Sequence, residues 1–367
     1  MEFENRSPGQ LIQSIIVVLL TLLVATQALS LYIIQPMAYD GTLTRTGRYS
    51  LTFEAWNTIG INENETVVGI GTSLTQYGIS GNCIEEKIEI NNTSVYNLGV
   101  PGSLPYIEMM QTTTAIANNP SLILLEVNPI NLYPLVYASS EYLEMRIKLN
   151  SLFMNSGDYG DWVELLREQD MTHLDGVFSN RYGSESTYFN SAINEYLTNL
   201  LTDERASKHW YLSTPHPSSN EWEDYLKNPV WLPRYLDSLN QSEVEDYENA
   251  TIVKELKRPR YNPTVEMNLN KLALEYMVQE FSEHKIPVLL VSYPIHPTAK
   301  SHLIDNQFEP HNNTLEILSS YEGVSSLNMI WTDEWAHSDF YDIEHLDTSG
   351  REKLCSVLAL EINQILN

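Results

Sequence analysis

The sequence predicts an α/β protein built on a mostly parallel β-sheet with helices on both faces. Short apolar runs at 67–70, 94–98 and 122–127 are separated by stretches with helical periodicity, and another run follows at 286–293. Strands that alternate with helices are typical of parallel sheets in three-layer α/β/α domains. The run at 122–127 is almost entirely apolar, as expected for a parallel strand covered on both faces.

The chain begins with a candidate membrane anchor. Residues 11–34 contain no charged side chain, and a helix over this run would measure about 36 Å, which is enough to cross a bilayer. A cleaved signal peptide is the alternative, but the run is long for one and only one basic residue, Arg6, precedes it. We therefore predict a cytoplasmic tail and a transmembrane signal anchor over 1–36, followed by a connector over 37–66.

The chain beyond the predicted anchor is expected to lie outside the cytoplasm. Asn-x-Ser/Thr triplets, the acceptor pattern for N-glycosylation, favour this side of the membrane. Beyond the predicted anchor they begin at Asn64, Asn91, Asn92, Asn240, Asn249 and Asn312. We accordingly expect a single-pass glycoprotein of the cell membrane.

Charge and cysteine content exclude some partners. The chain carries 48 acidic and 21 basic residues, for a net charge of −27, and 43% of its residues are hydrophobic. Nucleic acid and anionic membrane surfaces both bind through a positive protein face, so neither is expected as the main partner. Cys83 and Cys355 are far apart in sequence, and we predict neither a disulfide framework nor a zinc site. Cys355 lies in an apolar helical run and is interpreted as a core residue.

The other elements follow from periodicity and turn residues. We predict an edge strand over 49–56 and a domain over 67–367, interrupted by an aromatic-rich insertion at about 132–262. The insertion is interpreted as a lid or a substrate-binding subdomain. Thr348 or Ser349 is expected to cap the closing helix. The predicted helices cover 74–90, 104–117, 265–284, 315–321 and 348–366, and the last strand covers 327–331.

Polar residues with catalytic potential follow the predicted strands, at the sheet edge where parallel sheets bind their ligands. They are Ser73, Gly99, Asn128 and His296, and the loop before the last helix adds Asp342 and His345. Ser73 is by itself either a helix N-cap or a nucleophile.

Together these residues contain the groups that acyl transfer through a serine requires. Ser73 can act as the nucleophile, His345 as the base that takes its proton, and Asp342 as the group that orients the base. The backbone N–H groups of Ser73 and Gly99 and the side-chain amide of Asn128 can donate to the oxyanion. Glycine at 99 would also let the backbone approach the substrate closely.

At these residues the sequence resembles the SGNH (GDSL-like) hydrolase superfamily, over about 67–130 and 285–366. Four blocks occur in the family's order, namely Gly71-Thr72-Ser73, Asn97-Leu98-Gly99, Glu126-Val127-Asn128 and Asp342-x-x-His345. The resemblance implies a three-layer sandwich with a flavodoxin-like sheet, the triad and oxyanion donors named above, and no cofactor. Two positions depart from the family pattern, since Thr72 stands where the family has Asp and Glu126 where it has Gly.

The membrane anchor and the insertion are more similar to branches that add or remove acyl groups on cell-surface glycans than to small secreted lipases. We therefore expect a serine esterase or acyltransferase that acts on O-acyl groups, O-acetyl foremost, of extracytoplasmic glycans. Candidate substrate-binding residues are Glu126, His296, Arg258 and Arg260. His296 is expected to line the pocket, and the two arginines belong to the basic cluster 257–260, which is otherwise a solvated loop.

Two alternatives remain open at this level. The loop 333–347 holds enough carboxylates and histidines for a divalent metal, which would indicate a metal-dependent phosphatase or esterase. The second alternative is a catalytically inactive glycan-binding or scaffolding module, which the unusual Glu126 suggests. The Gly-x-Ser-x-Gly elbow of the α/β-hydrolase fold is absent, because Thr75 occupies its second glycine position.

Overall fold

The protein folds around a five-stranded parallel sheet. The structure, a computed structural model, describes residues 7–29, 32, 47–61, 64–100, 102–132, 160–168, 215, 218–229, 241–257, 268–303 and 307–367. The sheet's strands are β1 (Glu65–Ile70), β2 (Thr93–Asn97), β3 (Leu122–Glu126), β4 (Val288–Ser292) and β5 (Val324–Asn328). Their spatial order, β2-β1-β3-β4-β5, is the flavodoxin-like order and confirms the predicted fold class.

Helices cover both faces of the sheet. The first six are α1 (Pro8–Leu29), α2 (Gly47–Ile59), α3 (Ser73–Gly78), α4 (Gly81–Glu85), α5 (Pro105–Glu108) and α6 (Thr112–Asn118). The others described are α7 (Trp162–Glu168), α8 (Trp222–Lys227), α9 (Gln241–Leu256), α10 (Leu269–Glu283), α11 (Pro297–Ser301), α12 (Glu309–Leu318) and α13 (Thr348–Leu366). Short 3₁₀ helices lie at Met109–Gln111, Pro129–Leu132 and His337–Asp339.

Alternate strand residues feed two separate cores, one on each face. Val68 and Ile123 pack against α2, α6, α10 and α12, whereas Val67 and Leu124 pack against α3, α4 and α13. Successive side chains of a strand point to opposite faces, so a strand between two helical layers is apolar throughout. All residues of β2 and β3 are buried accordingly.

Two predicted elements differ from the structure in type or continuity. Residues 49–56 do not form an edge strand but belong to α2, where Ala55, Trp56 and Ile59 share one buried helical face. The helix predicted over 74–90 is two short helices. Gly78 and Gly81 flank the break. A Cβ on Gly78 would lie 2.6 Å from the Tyr293 ring, and a Cβ on Gly81 would lie 2.1 Å from the Val95 carbonyl oxygen.

The last strand and the cap of the closing helix also shift. The strand predicted at 327–331 begins three residues earlier, as β5, and α13 spans the predicted 348–366. Its N-cap is Asp347, whose Oδ1 accepts a hydrogen bond from Gly350 N–H at 3.0 Å, so neither Thr348 nor Ser349 caps it. A carboxylate in this position also interacts favourably with the positive end of the helix dipole.

Helix α1 is long and apolar enough to span a membrane. Its candidate span is Pro8–Thr26, and none of that stretch is buried inside the protein. Among the residues that the structure describes, the prediction of one N-terminal helix long and apolar enough to span a membrane is confirmed.

The cysteines form a disulfide, so the prediction that they would not pair is wrong. Cys83 in α4 and Cys355 in α13 are bonded, with Cα atoms 6.1 Å apart across a sequence separation of 272 residues. The two helices pack on the same face of the sheet. Spacing could not reveal the pair, because proximity arises only when β1 and the end of the chain meet in the fold.

Parts of the insertion pack onto the main domain. Trp162 in α7 and Trp222 in α8 are buried in the same core as α10 and β3, rather than in a core of their own. Trp222 Nε1 donates to Thr58 Oγ1 at 2.8 Å. Most of the insertion, including the other aromatic side chains that suggested a lid, lies outside the described residues.

Candidate active site

Ser73 is the first residue of α3 and lies directly beyond the carboxyl end of β1. The N-cap is Thr72, whose Oγ1 accepts a hydrogen bond from Leu74 N–H at 3.2 Å. The capping role that Ser73 could have had is therefore taken by its neighbour. The Ser73 hydroxyl is left to interact with residues outside the helix.

Ser73, His345 and Asp342 form a continuous hydrogen-bonded chain. His345 Nε2 lies 2.7 Å from Ser73 Oγ, and His345 Nδ1 lies 2.8 Å from Asp342 Oδ2. Ser73 and His345 are 272 residues apart in sequence. Both distances are within the range in which a base can take a proton from a serine and be oriented by a carboxylate.

Asp342 is organised to stay ionised. Its Oδ1 accepts hydrogen bonds from Glu344 N–H at 3.0 Å and His345 N–H at 2.8 Å. Partial burial raises the pKa of Asp342, but the adjacent His345 and these hydrogen bonds outweigh it and lower the pKa to about 2. The carboxylate can therefore hold His345 with Nδ1 protonated and Nε2 turned to the serine.

Asn128 carries a buried side-chain amide two residues beyond the end of β3. Its Oδ1 accepts a hydrogen bond from Tyr293 N–H at 3.0 Å, which forces the amide nitrogen to point the other way. That nitrogen has no hydrogen-bond partner among the described residues. A preorganised donor without a partner is what an oxyanion requires, and leaving one in an inert core would cost about 1–3 kcal/mol.

A buried histidine fixes the backbone on which Asn128 sits. His311 Nε2 lies 2.9 Å from the Val127 carbonyl oxygen and 3.0 Å from Ser292 Oγ. Ser292 Oγ donates to the same carbonyl at 2.6 Å. Burial lowers the pKa of His311, so the ring is held neutral. This tie between the ends of β3 and β4 was missed at the sequence level, because nothing near His311 in the chain marks its partners.

The N–H group of Gly99, predicted as an oxyanion donor, donates a hydrogen bond within the protein. The acceptor is Asn97 Oδ1, at 3.0 Å. A Cβ at position 99 would lie 2.3 Å from the Gln76 nitrogen and 2.8 Å from the Thr72 carbonyl oxygen. Glycine is therefore required for the loop after β2 to pack against the first turn of α3. The available donors are Asn128 Nδ2 and Ser73 N–H, for which the described residues supply no acceptor.

His296 and Glu126, two of the predicted substrate-binding residues, are both buried and hydrogen-bonded within the protein. His296 is 1% exposed and caps α11, where its Nδ1 accepts from Thr298 N–H at 3.1 Å. Glu126 is also 1% exposed and is bonded to Thr72 and Thr75. Arg258 and Arg260 lie outside the described residues.

A shallow, mostly apolar cleft reaches Leu74, the residue that follows Ser73. Asn128 reaches its wall, as does Glu344 from the loop that carries His345. The apolar lining includes Leu74, Ile130, Ile295 and Phe308. The cleft can accept a small apolar group at the residue that carries the unpartnered amide.

The acidic loop 333–347 does not converge on a common point. Asp333 pairs with Lys300, Asp339 with Lys353, and Asp342 with His345. No three of the described His, Cys, Asp and Glu side chains are arranged so that they could hold a metal ion. Three of the carboxylates that suggested a metal centre are thus paired with three different partners.

No protein-family model matches the chain, and no curated protein matches its sequence. The identity of the site is therefore argued from its geometry alone.

Replacing Asn128 with aspartate should test its amide as the oxyanion donor. The variant keeps the acceptor for Tyr293 N–H but loses the donor, so kcat should fall about 10²–10³-fold with little change in KM. Steady-state ester hydrolysis measures this, with Asn128→Ala as a second, uncharged variant and thermal unfolding as the folding control. Wild-type kcat in both variants would show that the amide has no part in the reaction.

Glu108 should make stability fall as pH rises. It is 2% exposed, and neither carboxyl oxygen has a hydrogen-bond partner among the described residues. Burial and the charge of Glu126 raise its pKa well above 4.5. Above about pH 4.5 the native state then holds a proton that the unfolded state has lost, so stability decreases with rising pH.

Glu108→Gln should remove this dependence. The variant should gain stability over the wild type as pH rises above about 4.5, at up to about 1.4 kcal/mol per pH unit until Glu108 ionises in the native state, and should gain none below it. Urea unfolding at pH 4 and pH 8 measures the difference. A gain that is the same at both values would contradict the assignment.

Proposed function

We propose that the protein is a membrane-anchored serine esterase or acyltransferase of the SGNH type. The observation that carries the proposal is the chain Ser73–His345–Asp342, with distances of 2.7 and 2.8 Å, together with the unpartnered amide of Asn128. These four side chains come from three separate sequence blocks, since Asp342 and His345 share one. Their location at the carboxyl edge of a parallel sheet supports the proposed roles.

The first half-reaction transfers the acyl group to the enzyme. His345 Nε2 takes the proton of Ser73 as Oγ attacks the ester carbonyl carbon, and the carbonyl oxygen becomes an oxyanion. Asn128 Nδ2 and Ser73 N–H donate hydrogen bonds to that oxygen. When the intermediate collapses, the bond to the alcohol oxygen breaks and His345 gives its proton to the leaving alcohol. The product is an acyl ester of Ser73.

The second half-reaction returns the enzyme to its starting state. His345 takes a proton from water or from a sugar hydroxyl, whose oxygen attacks the acyl carbon. Collapse breaks the bond to Ser73 Oγ, which regains the proton from His345. Water as acceptor releases a carboxylic acid and makes the protein an esterase, whereas a sugar hydroxyl gives a new ester and makes it an acyltransferase.

O-acyl groups of extracytoplasmic glycans are the proposed substrates. Helix α1 supplies a candidate membrane span, and the Cys83–Cys355 disulfide supports an oxidising compartment for the domain, since disulfides persist mainly outside the cytosol. The small apolar cleft that reaches Leu74 fits a short acyl chain such as acetyl. The net charge of −27 disfavours polyanionic partners.

A fluorophosphonate probe tests the proposal directly. The full-length protein in detergent micelles should be labelled at one serine, which mass spectrometry should identify as Ser73, and it should release acetate from O-acetylated sugars. Labelling should disappear in His345→Ala, because the hydroxyl is then not activated. A wild-type protein that the probe does not label would sink the serine-nucleophile mechanism.

The main reason for considering an inactive binding module no longer holds. It was suggested by Glu126, and that side chain faces the nucleophile turn rather than the cleft. Glycan retention without turnover, unaffected by Ser73→Ala, would instead favour the module.

A further inference from the structure

Glu126, the last residue of β3, directs its carboxylate at the turn that carries Ser73. Its Oε1 accepts a hydrogen bond from Thr72 Oγ1 at 2.8 Å. Its Oε2 accepts from Thr72 N–H at 2.8 Å, from Thr75 Oγ1 at 2.8 Å and from Thr75 N–H at 3.2 Å. One buried side chain thus bonds the residues on both sides of the serine.

These bonds leave a single donor open at the start of α3. A helix begins with N–H groups that have no acceptor in the helix itself. Leu74 N–H is taken by Thr72 Oγ1 and Thr75 N–H by Glu126. Ser73 N–H, between them, is the one for which the described residues supply no acceptor. The arrangement therefore keeps an oxyanion donor available next to the nucleophile.

The surroundings are shaped to hold the carboxylate in this position. A Cβ on Gly71 would lie 2.5 Å from both Glu126 Cβ and Oε2, so only glycine fits there. Tyr293 Oη donates to Thr75 Oγ1 at 3.2 Å, which links the turn to the residue that holds Asn128. Burial and the negative charge of Glu126 raise the pKa of Tyr293, so the phenol remains a donor.

The contact also joins the two positions that depart from the SGNH pattern. Thr72 replaces an acidic residue and Glu126 replaces a glycine, and the two side chains are hydrogen-bonded to each other. The carboxylate that this chain lacks at 72 is thus supplied to the same turn from the neighbouring strand.

We propose that Glu126 is a positioning residue for the nucleophile. Its carboxylate fixes the turn 71–75 so that Ser73 Oγ faces His345 Nε2 while Ser73 N–H stays open to the oxyanion. The inference rests on the proposed function, in which Ser73 is the nucleophile.

Glu126→Leu and Glu126→Gln, compared in the full-length protein, test this role. Leucine removes every acceptor and should slow both Ser73 phosphonylation and kcat about 100-fold, with KM nearly unchanged, as expected for a nucleophile displaced by about 1 Å. Glutamine keeps an amide oxygen for the two backbone N–H groups, so it should restore most of the rate. Glu65→Gln is the matched control, because Glu65 bonds a serine hydroxyl at the opposite end of β1.

The outcomes separate the inference from the function on which it rests. Wild-type labelling rates in Glu126→Leu would overturn the positioning role while leaving the nucleophile intact. Equal losses in the leucine and glutamine variants would also overturn it, because a retained acceptor would then have no effect.

If the wild type itself is not labelled, the proposed function fails, and amide hydrogen exchange of the segment 71–76 then decides the inference. Faster exchange in Glu126→Leu than in the wild type would support the role of Glu126 in holding the turn. Unchanged protection would overturn it.

Discussion

Ser73→Ala should lower kcat/KM for ester hydrolysis by about 10⁴–10⁶-fold, because the reaction loses the atom to which the acyl group is transferred. The fold should be unaffected, since Thr72 and not Ser73 caps α3. Hydrolysis of p-nitrophenyl acetate by the full-length protein, with thermal unfolding measured in parallel, gives both quantities.

His345→Ala should cause a loss of similar size, and the double variant should be no worse than either single one. Residues that act as one unit are strongly non-additive, since removing either group disables the same step. Additive losses would mean that the 2.7 Å contact between the two side chains is not used in the reaction.

Two matched controls accompany these variants. Ser80→Ala removes a hydroxyl that bonds Asn228 at 3.0 Å, outside the triad, and should leave kcat unchanged. His296→Ala removes a helix cap, which costs about 1 kcal/mol of stability, and should impair kcat far less than His345→Ala. A serine or histidine control that lost as much activity as the triad variants would point to misfolding rather than chemistry.

Loss of the Cys83–Cys355 disulfide should lower the free energy of unfolding by about 2–5 kcal/mol. The bond closes a loop across 272 residues, and long loops restrict the unfolded chain most in the chain-entropy account. Urea unfolding of the wild type with and without dithiothreitol measures the effect. Cys83→Ser, in which the altered side chain is only half-buried, should unfold as the reduced wild type does and should not respond to dithiothreitol.

The disulfide also links the segment that follows Ser73 to the helix that follows His345. Helix α4 follows the short helix that begins at Ser73, and α13 follows the loop that carries His345. Reduction should therefore abolish esterase activity at lower urea concentrations than in the oxidised protein. An unchanged unfolding midpoint on reduction, or two free thiols in protein from an oxidising compartment, would contradict this role.

Several features were predictable because they depend on local pattern or on a general rule of sheet topology. The strands at 94–98 and 122–127 are signalled by apolar runs between turn residues, and β2 and β3 occupy them within one residue. Carboxyl ends of parallel strands share one edge, so residues that follow different strands come together. From that rule, the sequence alone predicts that Ser73, Asn128 and the Asp342–His345 loop lie close together.

Other features depend on contacts that no local pattern encodes. Glu126 was predicted as a substrate-binding residue or a sign of lost activity, and only the structure shows its four hydrogen bonds to Thr72 and Thr75, on either side of Ser73. Gly99 looked like an oxyanion donor, but its N–H is taken by Asn97. His311 carried no signal at all, because its partners lie on separate elements, with Val127 directly after β3 and Ser292 at the end of β4.

The sequence by itself determined the parallel α/β fold class, the candidate membrane span, and which residue types meet at the carboxyl edge of the sheet. These depend on hydrophobic periodicity and chain direction, which are written along the chain. The tertiary structure alone decided which donors stay open, where Glu126 points, and that Cys83 meets Cys355. Those outcomes depend on the orientation of side chains from separate elements, and orientation is set only when the elements pack.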